Sequence, residues 1–550
     1  MGMKKLLCIF ISILILTTGC TYEFVSLRQA VRVYDAALEE RENIVLTSSP
    51  SAHFGTSLNL AMRNPRTLNP LINQDSSVDR VLKLIFEPLV ELRENMRPTP
   101  NLASRIVFSA DGMSAVVTIR EDAFWSDGVR ITSGDVAFSV NVIRSPIGSA
   151  IYQEVIRDIS AIEIIDSNNF RVRFSRPQGG MSCALKFPPI PRHYYYNHTN
   201  FTSARNMMPV GSGVYRVDTF ESAHRLNLVP NENRMIGNRP YIEQVTVFIT
   251  DNEQTDFTAF EQGIINVFNT EATAYGRLRG QRAITTTTYD TNNLVFLGFN
   301  FRRNLMDNRD VREAIAHAVD RVHIQESIYL GRARVARTII NPVSYLYHPN
   351  TLTYEFNMEQ ARNILFRIGA RHFEGALSKE ISGANLRFEF RILVNEESPE
   401  RVAIARNLRY NLEELGMIVH LDIYDFETYL NRLESGNFDM FLGAFNFFPK
   451  PDFKPLFHSS NIGAYSYNHF SFRSEAADEL LEQIDRALTE DELWSLMREL
   501  KEAVAYELPM VPIVFTQRAL LTDGRITGEH RPVMNNIFNN IAHWRIEWAN

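Results

Sequence analysis

A mixed α/β (α+β) protein of several domains is predicted by three observations. Strand-like β-branched runs alternate with amphipathic helical runs through the whole chain after residue 54. The length of 550 residues is more than one ordinary domain uses. A composition of 45% hydrophobic and 11% aromatic residues supplies a large core.

The first element is an export signal. Lys4 and Lys5 precede an apolar run from Leu6 to Leu16, broken only by Ser12, and Thr17-Thr18-Gly19-Cys20 follow. The run is shorter than the roughly 20 apolar residues a spanning helix needs. A charged start, a short apolar core and small residues before a cut fit secretion. The segment resembles a bacterial lipoprotein signal, which implies diacylation of Cys20; Thr17 stands where an aliphatic residue is usual. Two chains anchor stably where one binds only marginally. Cys8 lies in the signal, so acylation of Cys20 leaves Cys183 alone, without an internal disulfide or a cysteine-rich metal site. A formal net charge of -7 gives no basic face for nucleic acid.

Residues 21–53 read as a tether, with a helical stretch from Arg28 to Glu42 and a Thr47-Ser48-Ser49-Pro50-Ser51 break. Strands are predicted at Ala115–Arg120, Phe170–Phe174, Val245–Ile249 and Leu294–Phe299. Helices are predicted at Asp310–Ile328, Asn357–Ile368, Glu400–Leu415 and Ala476–Leu488. In the third helix Val402, Ala405, Leu408 and Leu412 recur at helical spacing, and Gly416 supplies the stop. Ser126-Asp127-Gly128 has turn chemistry, and Ser133-Gly134-Asp135 suits a helix start. Gly211-Ser212-Gly213 lacks the Gly-Lys-Ser/Thr ending of a phosphate loop and reads as a tight turn or close approach.

Five separated segments carry a family resemblance. They are Thr67-Leu68-Asn69-Pro70-Leu71 with Ile85-Phe86-Glu87-Pro88-Leu89-Val90, and Pro100-Asn101-Leu102-Ala103 through Phe124-Trp125-Ser126-Asp127-Gly128 to Thr132-Ser133-Gly134-Asp135-Val136. Pro209-Val210-Gly211-Ser212-Gly213-Val214-Tyr215 is the third. Leu297-Gly298-Phe299-Asn300 joins Asp310-Val311-Arg312-Glu313-Ala314-Ile315 and Val319-Asp320-Arg321 as the fourth, and Leu415-Gly416-Met417 joins Phe438-Asp439-Met440 as the fifth. In this order they resemble the family 5 extracellular solute-binding proteins, the oligopeptide- and dipeptide-binding receptors of ABC importers.

The resemblance implies a two-lobed periplasmic-binding-protein-like fold of the large three-domain class, with a hinge between lobes that close on the ligand. It implies lobe I from residues 54–85, 195–288 and 501–550, an extra domain at 86–194 packed on it, and lobe II at 289–500. It implies a monomer without cofactor, metal or catalytic group, anchored on the extracytoplasmic face and partnered by a permease. A peptide sensor uncoupled from uptake, a nickel-complex or oligosaccharide receptor, and a cell-wall hydrolase are the alternative readings.

Family peptide receptors carry a loop resembling Trp-x-Ala-Asp-Tyr-x-Asp-Pro, whose first aspartate pairs with the peptide amine. Here Phe445 stands at the tryptophan and Phe448 at the aspartate, with Asp452 as a later acid. A buried ammonium without a carboxylate costs several kcal/mol. Asp452 or Glu434 is expected to compensate, or else free-amine recognition is absent. Ligand-binding candidates are Asn69, Tyr215, Phe445, Asn446, Phe447, Phe448 and Asp452, with Phe453 and Phe457 extending an aromatic wall. Tyr194, Tyr195 and Tyr196 are expected to border an interlobe surface. His193 and His198 lack local acidic support for a metal. Arg401 and Arg406 could meet a carboxylate or lie solvated. Trp125 is expected in the core.

Overall fold

The computed structural model describes residues 57–178, 183–271, 283–381, 384–447, 452–463 and 466–547. The predicted export signal with Cys20, the predicted tether and Phe448 lie outside these.

The predicted local signals produce the expected elements. Alternating burial along Ser114–Ile119 and Asn169–Phe174 places them in a four-stranded antiparallel sheet with Ala103–Phe108 and Ile159–Ile164. The helix Ser133–Ile143 starts at Thr132, whose backbone N–H donates to Asp135 at 2.8 Å in a capping box. The helix Pro399–Glu414 ends before Gly416, which has a φ of +87°. Two predicted elements differ. The Asp310–Ile328 helix breaks after His317, and Asp320 caps a separate turn at Arg321–His323. The strand predicted at Leu294–Phe299 begins ten residues earlier and runs Ile284–Phe299.

Three large hydrophobic cores organise these elements, with a small fourth at Phe260, Ile265, Phe268 and Leu521. The first joins Leu58–Met62, the helix Ser76–Ile85, the extra-domain sheet, the strands Tyr215–Glu221, Arg225–Pro230 and Gln244–Ile249, and Trp544 near the C-terminus. Trp125 is fully buried within it, and so is Tyr195, which removes that residue from any interlobe surface. The other two cores cover the two faces of a seven-stranded sheet. That sheet runs Val267–Glu271, Met510–Asp523, Ile284–Phe299, Met440–Asn446, Glu389–Asn395, Ile418–Tyr424, with Ala333–Val335 added to Met510–Asp523. Glu389–Asn395 and Ile418–Tyr424 are parallel, and the helix Pro399–Glu414 connects them. The Gly211 turn is a close approach: a Cβ there would sit 2.0 Å from the Ile85 carbonyl oxygen.

The helix Glu490–Glu507 runs through the expected border at 500/501, and Leu500 and Val504 pack together in one core of the large sheet. Two paired strands contribute to more than one core. Tyr289 and Leu520 belong to the first core, whereas Leu294 and Phe515 belong to the third.

Residues of the 86–194 segment also pair by charge with the segment from Asp452 to Glu490. Arg97 reaches Glu490 at 2.8 Å, Arg176 reaches Asp485 at 2.7 Å, and Arg157 lies 3.5 Å from Asp452. Arg176 also holds Asp158 at 3.0 Å. Burial pushes the Asp158 carboxyl up, but Arg176 and Arg157 outweigh it and hold it below 3.8. A depressed carboxylate contributes stability above its unfolded value and loses it as the pH falls through the folded one. Asp158→Asn is therefore expected to lower the unfolding temperature at neutral pH, with the difference closing below about pH 4. Calorimetry of both proteins from pH 7 to pH 3 checks this.

Candidate ligand cleft

Strands Ile284–Phe299 and Met510–Asp523 each run from the first core into the cores of the large sheet, which makes them the candidate hinge. Their register holds from Ile284↔Asp523 to Asp290↔Gln517, shifts, and resumes at Leu294↔Phe515. Side chains take over where the ladder is interrupted. Thr291 donates from Oγ1 to the Thr516 carbonyl at 2.8 Å, and Asn293 donates from Nδ2 to Thr516 Oγ1 at 3.3 Å. Asn341 donates to the Thr291 carbonyl at 2.8 Å, and Gln517 to Asp290 at 3.0 Å. These replace ladder bonds that a shifted register cannot make. Asp290 to Asn293 form a polar interruption in a β-branched run, the signal by which the hinge could have been found.

Beside the hinge lies a cavity of about 200 Å³ whose walls include Glu271, Asn293, Tyr329, Arg401, Ala444 and Thr516. Its floor is the end of the strand Met440–Asn446. That strand pairs with Ile284–Phe299 along its full length, Asn293 opposite Asn446. Its other edge pairs with Glu389–Asn395 only at Met440 and Phe441. Past Phe441 that outer edge carries no strand among the described residues. The Phe447 N–H donates inward to the Asn292 carbonyl at 3.0 Å. Alternation then turns the N–H and C=O of Ala444 and Asn446 outward, and both residues are exposed.

Charge collects on both sides. Burial pushes the Glu271 carboxyl up; Arg518 pulls it down, and Glu253 and Glu400 add to the rise. Arg80 and Arg518 line a smaller recess of about 60 Å³ with Asn269. Burial lowers the Arg80 guanidinium and Arg518 adds to it; Arg80 has no hydrogen bond or ion pair among the described residues.

The predicted site residues separate. Asn446 sits on the open edge, and Arg401 lines the cavity. Phe445 is half-buried, with its ring 4.8 Å from Phe447 and 5.9 Å from Tyr467. Phe447, Phe453 and Phe457 are buried in the third core and form a support behind the edge strand. Asp452 accepts from the Lys454 N–H at 3.1 Å and faces Arg157, so its charge is engaged by that arginine. Glu434 is exposed on the helix Phe426–Ser435. Arg406 is exposed, and His193 bonds Asp127 at 2.7 Å.

Asn69 and Tyr215, the other two predicted ligand-binding residues, lie in the first lobe's interior, and Asn69 Nδ2 has no hydrogen-bond partner there. Both side chains are wholly buried. Asn69 Oδ1 accepts from the Leu71 N–H at 3.0 Å and shapes a turn; the Tyr215 hydroxyl donates to the Ile242 carbonyl at 3.1 Å. The hinge polar residues Asp290 to Asn293, Thr516 and Gln517, with Glu271 and Arg80, are the site residues that sequence reasoning missed.

The sequence matches the bacterial extracellular solute-binding proteins, family 5 middle, over residues 97–464, more than half of the chain. The oligopeptide-binding protein AppA of Bacillus subtilis is 21% identical over 493 residues, covering 87% of this chain and 90% of its own. The AppA structure with a nonapeptide superposes with a TM-score of 0.61 at 21% identity, over 90% of this chain and 99% of that one. HbpA2 of Haemophilus parasuis gives 0.76 at 19% identity, over 90% and 100%. NikZ of Campylobacter jejuni in complex with Ni(L-His) gives 0.66 at 21%, over 89% and 99%. These structural likenesses carry the two-lobed fold, and with the family match they make this chain a member of the family 5 bacterial extracellular solute-binding proteins.

Proposed function

We propose that this protein captures a peptide in the hinge cleft and delivers it to an ABC permease, without chemical turnover. The observation that carries this reading is the open edge of Met440–Asn446, where Ala444 and Asn446 offer paired donors and acceptors beside the cavity. An extended peptide backbone complements such an edge by strand addition, which gives affinity without reading side chains. The relative named for oligopeptides supports the same ligand class. Phe448 at the amine-pairing position, and the engagement of Asp452 with Arg157, favour a peptide whose amino terminus is blocked or lies elsewhere.

Ligand-stripped protein tests this. Short peptides are expected to raise the unfolding temperature, with about 2.7 kcal/mol of stabilisation at a hundredfold excess over Kd. N-acetylated peptides are expected to bind as tightly as free ones. Stabilisation by Ni(L-His) or sugars alone would overturn the peptide reading and leave the binding-protein assignment intact. We also propose that acylated Cys20 anchors the protein on the extracytoplasmic face; Cys20→Ala is expected to release it from the membrane fraction.

A further inference from the structure

Away from the hinge cleft, the first lobe holds a cavity of about 190 Å³. The helix Ser76–Ile85, the extra domain and the C-terminal segment around residues 533–543 wall it. Much of its charge is paired internally. Lys83 and Asp79 are 3.3 Å apart, and Arg234 holds Glu87 Oε1 at 2.8 Å. Three groups keep open capacity: Glu87, Glu91 and Lys186. Glu87 is 8% exposed, and its Oε2 has no hydrogen-bond partner. Lys186, which also borders a neighbouring cavity beside Asp158, and Glu91 line the same space, and neither side chain has a hydrogen bond or ion pair among the described residues.

A buried oxygen without a donor costs about 1–3 kcal/mol, and here Glu87 Oε2 shares one space with a lysine and a second carboxyl that have no partner of their own. Burial pushes the Glu87 carboxyl up against the pull of Arg234, and burial lowers the Lys186 ammonium to about 8. The remaining wall is rich in carboxamides, among them Asn238 and Asn536. These add donors and acceptors without net charge. A neutral apolar guest would leave Glu87 Oε2 without a donor and Lys186 without an acceptor, and an anion or a cation alone would satisfy one.

We propose that this cavity is a second binding site, separate from the hinge cleft, for a zwitterion of free-amino-acid size. The guest carboxylate accepts from the Lys186 ammonium, and the guest ammonium donates to Glu87 Oε2. The proposal is independent of what the cleft binds.

Calorimetric titration of ligand-stripped protein with leucine and glutamate tests it, with N-acetyl-leucine and leucine amide as controls lacking one charge each. Leucine or glutamate is expected to bind saturably, and each control at least tenfold more weakly. Lys186→Met is expected to weaken amino-acid binding at least tenfold and leave cleft ligands unaffected. Its fold is expected to survive, since it removes an unpaired buried charge. Glu87→Gln keeps an acceptor for Arg234 and reads the other pole, with the same tenfold loss expected. Three results would overturn the site: no binding by any amino acid, meaning the cavity holds only water; equal binding by both controls; or binding that Asn446→Pro abolishes, which would place the guest in the cleft.

Discussion

Asn446→Pro is expected to weaken peptide binding tenfold or more and to leave the ligand-free protein nearly as stable. Asn446 ends the strand Met440–Asn446 and turns its N–H to the edge that carries no strand. Proline removes that donor while the inward bonds of Phe445 and Phe447 to the neighbouring strand persist. An extended ligand then loses one hydrogen bond and buries an unsatisfied carbonyl, together about 1.5–3 kcal/mol. Titration of one peptide against wild type and variant, with unfolding temperatures of both, checks it. Unchanged affinity would show that the ligand does not pair with this edge. Asn446→Ala, which keeps the backbone donor, is expected to bind peptide nearly as wild type does.

Arg312→Ala is expected to destabilise the second lobe by about 3–4 kcal/mol. Arg312 is 2% exposed. Its guanidinium donates to the carbonyls of Leu508 at 3.1 Å, Met306 at 2.8 Å and Glu507 at 2.7 Å, and lies 4.1 Å from the centre of the Phe301 ring. Burial lowers it to about 10, which leaves it charged at neutral pH. Alanine leaves three carbonyls without this donor and a cavity where the side chain was. The bend they form, where Leu508 takes a φ of +55°, sends the helix Glu490–Glu507 into the strand Met510–Asp523. Arg312→Lys is expected to recover little, because one ammonium cannot reproduce the planar fork. Calorimetric unfolding checks both variants, and a loss under about 1 kcal/mol for alanine would contradict the account.

Arg312 also shows how the motifs should be read. It sits in one of the segments that carry the family resemblance, and so do Arg321, Asn300, Asn69 and Tyr215. All five are buried. Arg321 donates to the carbonyls of Pro512 at 2.7 Å and Tyr354 at 2.6 Å, and Asn300 to those of Gly436 at 3.1 Å and Phe438 at 3.0 Å. These side chains satisfy backbone groups where the chain turns between elements. Motif residues of this kind report the fold, and their polar chemistry gives no sign of whether they face a ligand or a carbonyl. Asn69 and Tyr215 carry that ambiguity, since both spend polar atoms on the backbone.

Elements with local causes were legible from sequence. Period-2 burial in Asn169–Phe174, the Thr132 cap, the Gly416 stop and the Gly128 turn each depend on a few neighbouring residues. The family and its two-lobed fold were legible too, because five ordered segments constrain them together. The hinge was not. Whether Asp290 to Asn293 pair, slip or bridge depends on Thr516, Gln517 and Asn341, all distant in sequence. Nor could the sequence divide the aromatic run, since Phe447 meets Phe453 and Phe457 only through the tertiary fold, while the alternation of one strand turns Asn446 outward. Tertiary structure likewise spent Asp452 on Arg157 and left Glu87 Oε2 unpartnered. The sequence by itself determined the fold class and the family, because periodicity and capping are set by near neighbours. Only the tertiary structure decided which polar groups meet backbone, which meet each other and which remain open to a ligand, because those pairings are made across distances the sequence does not encode locally.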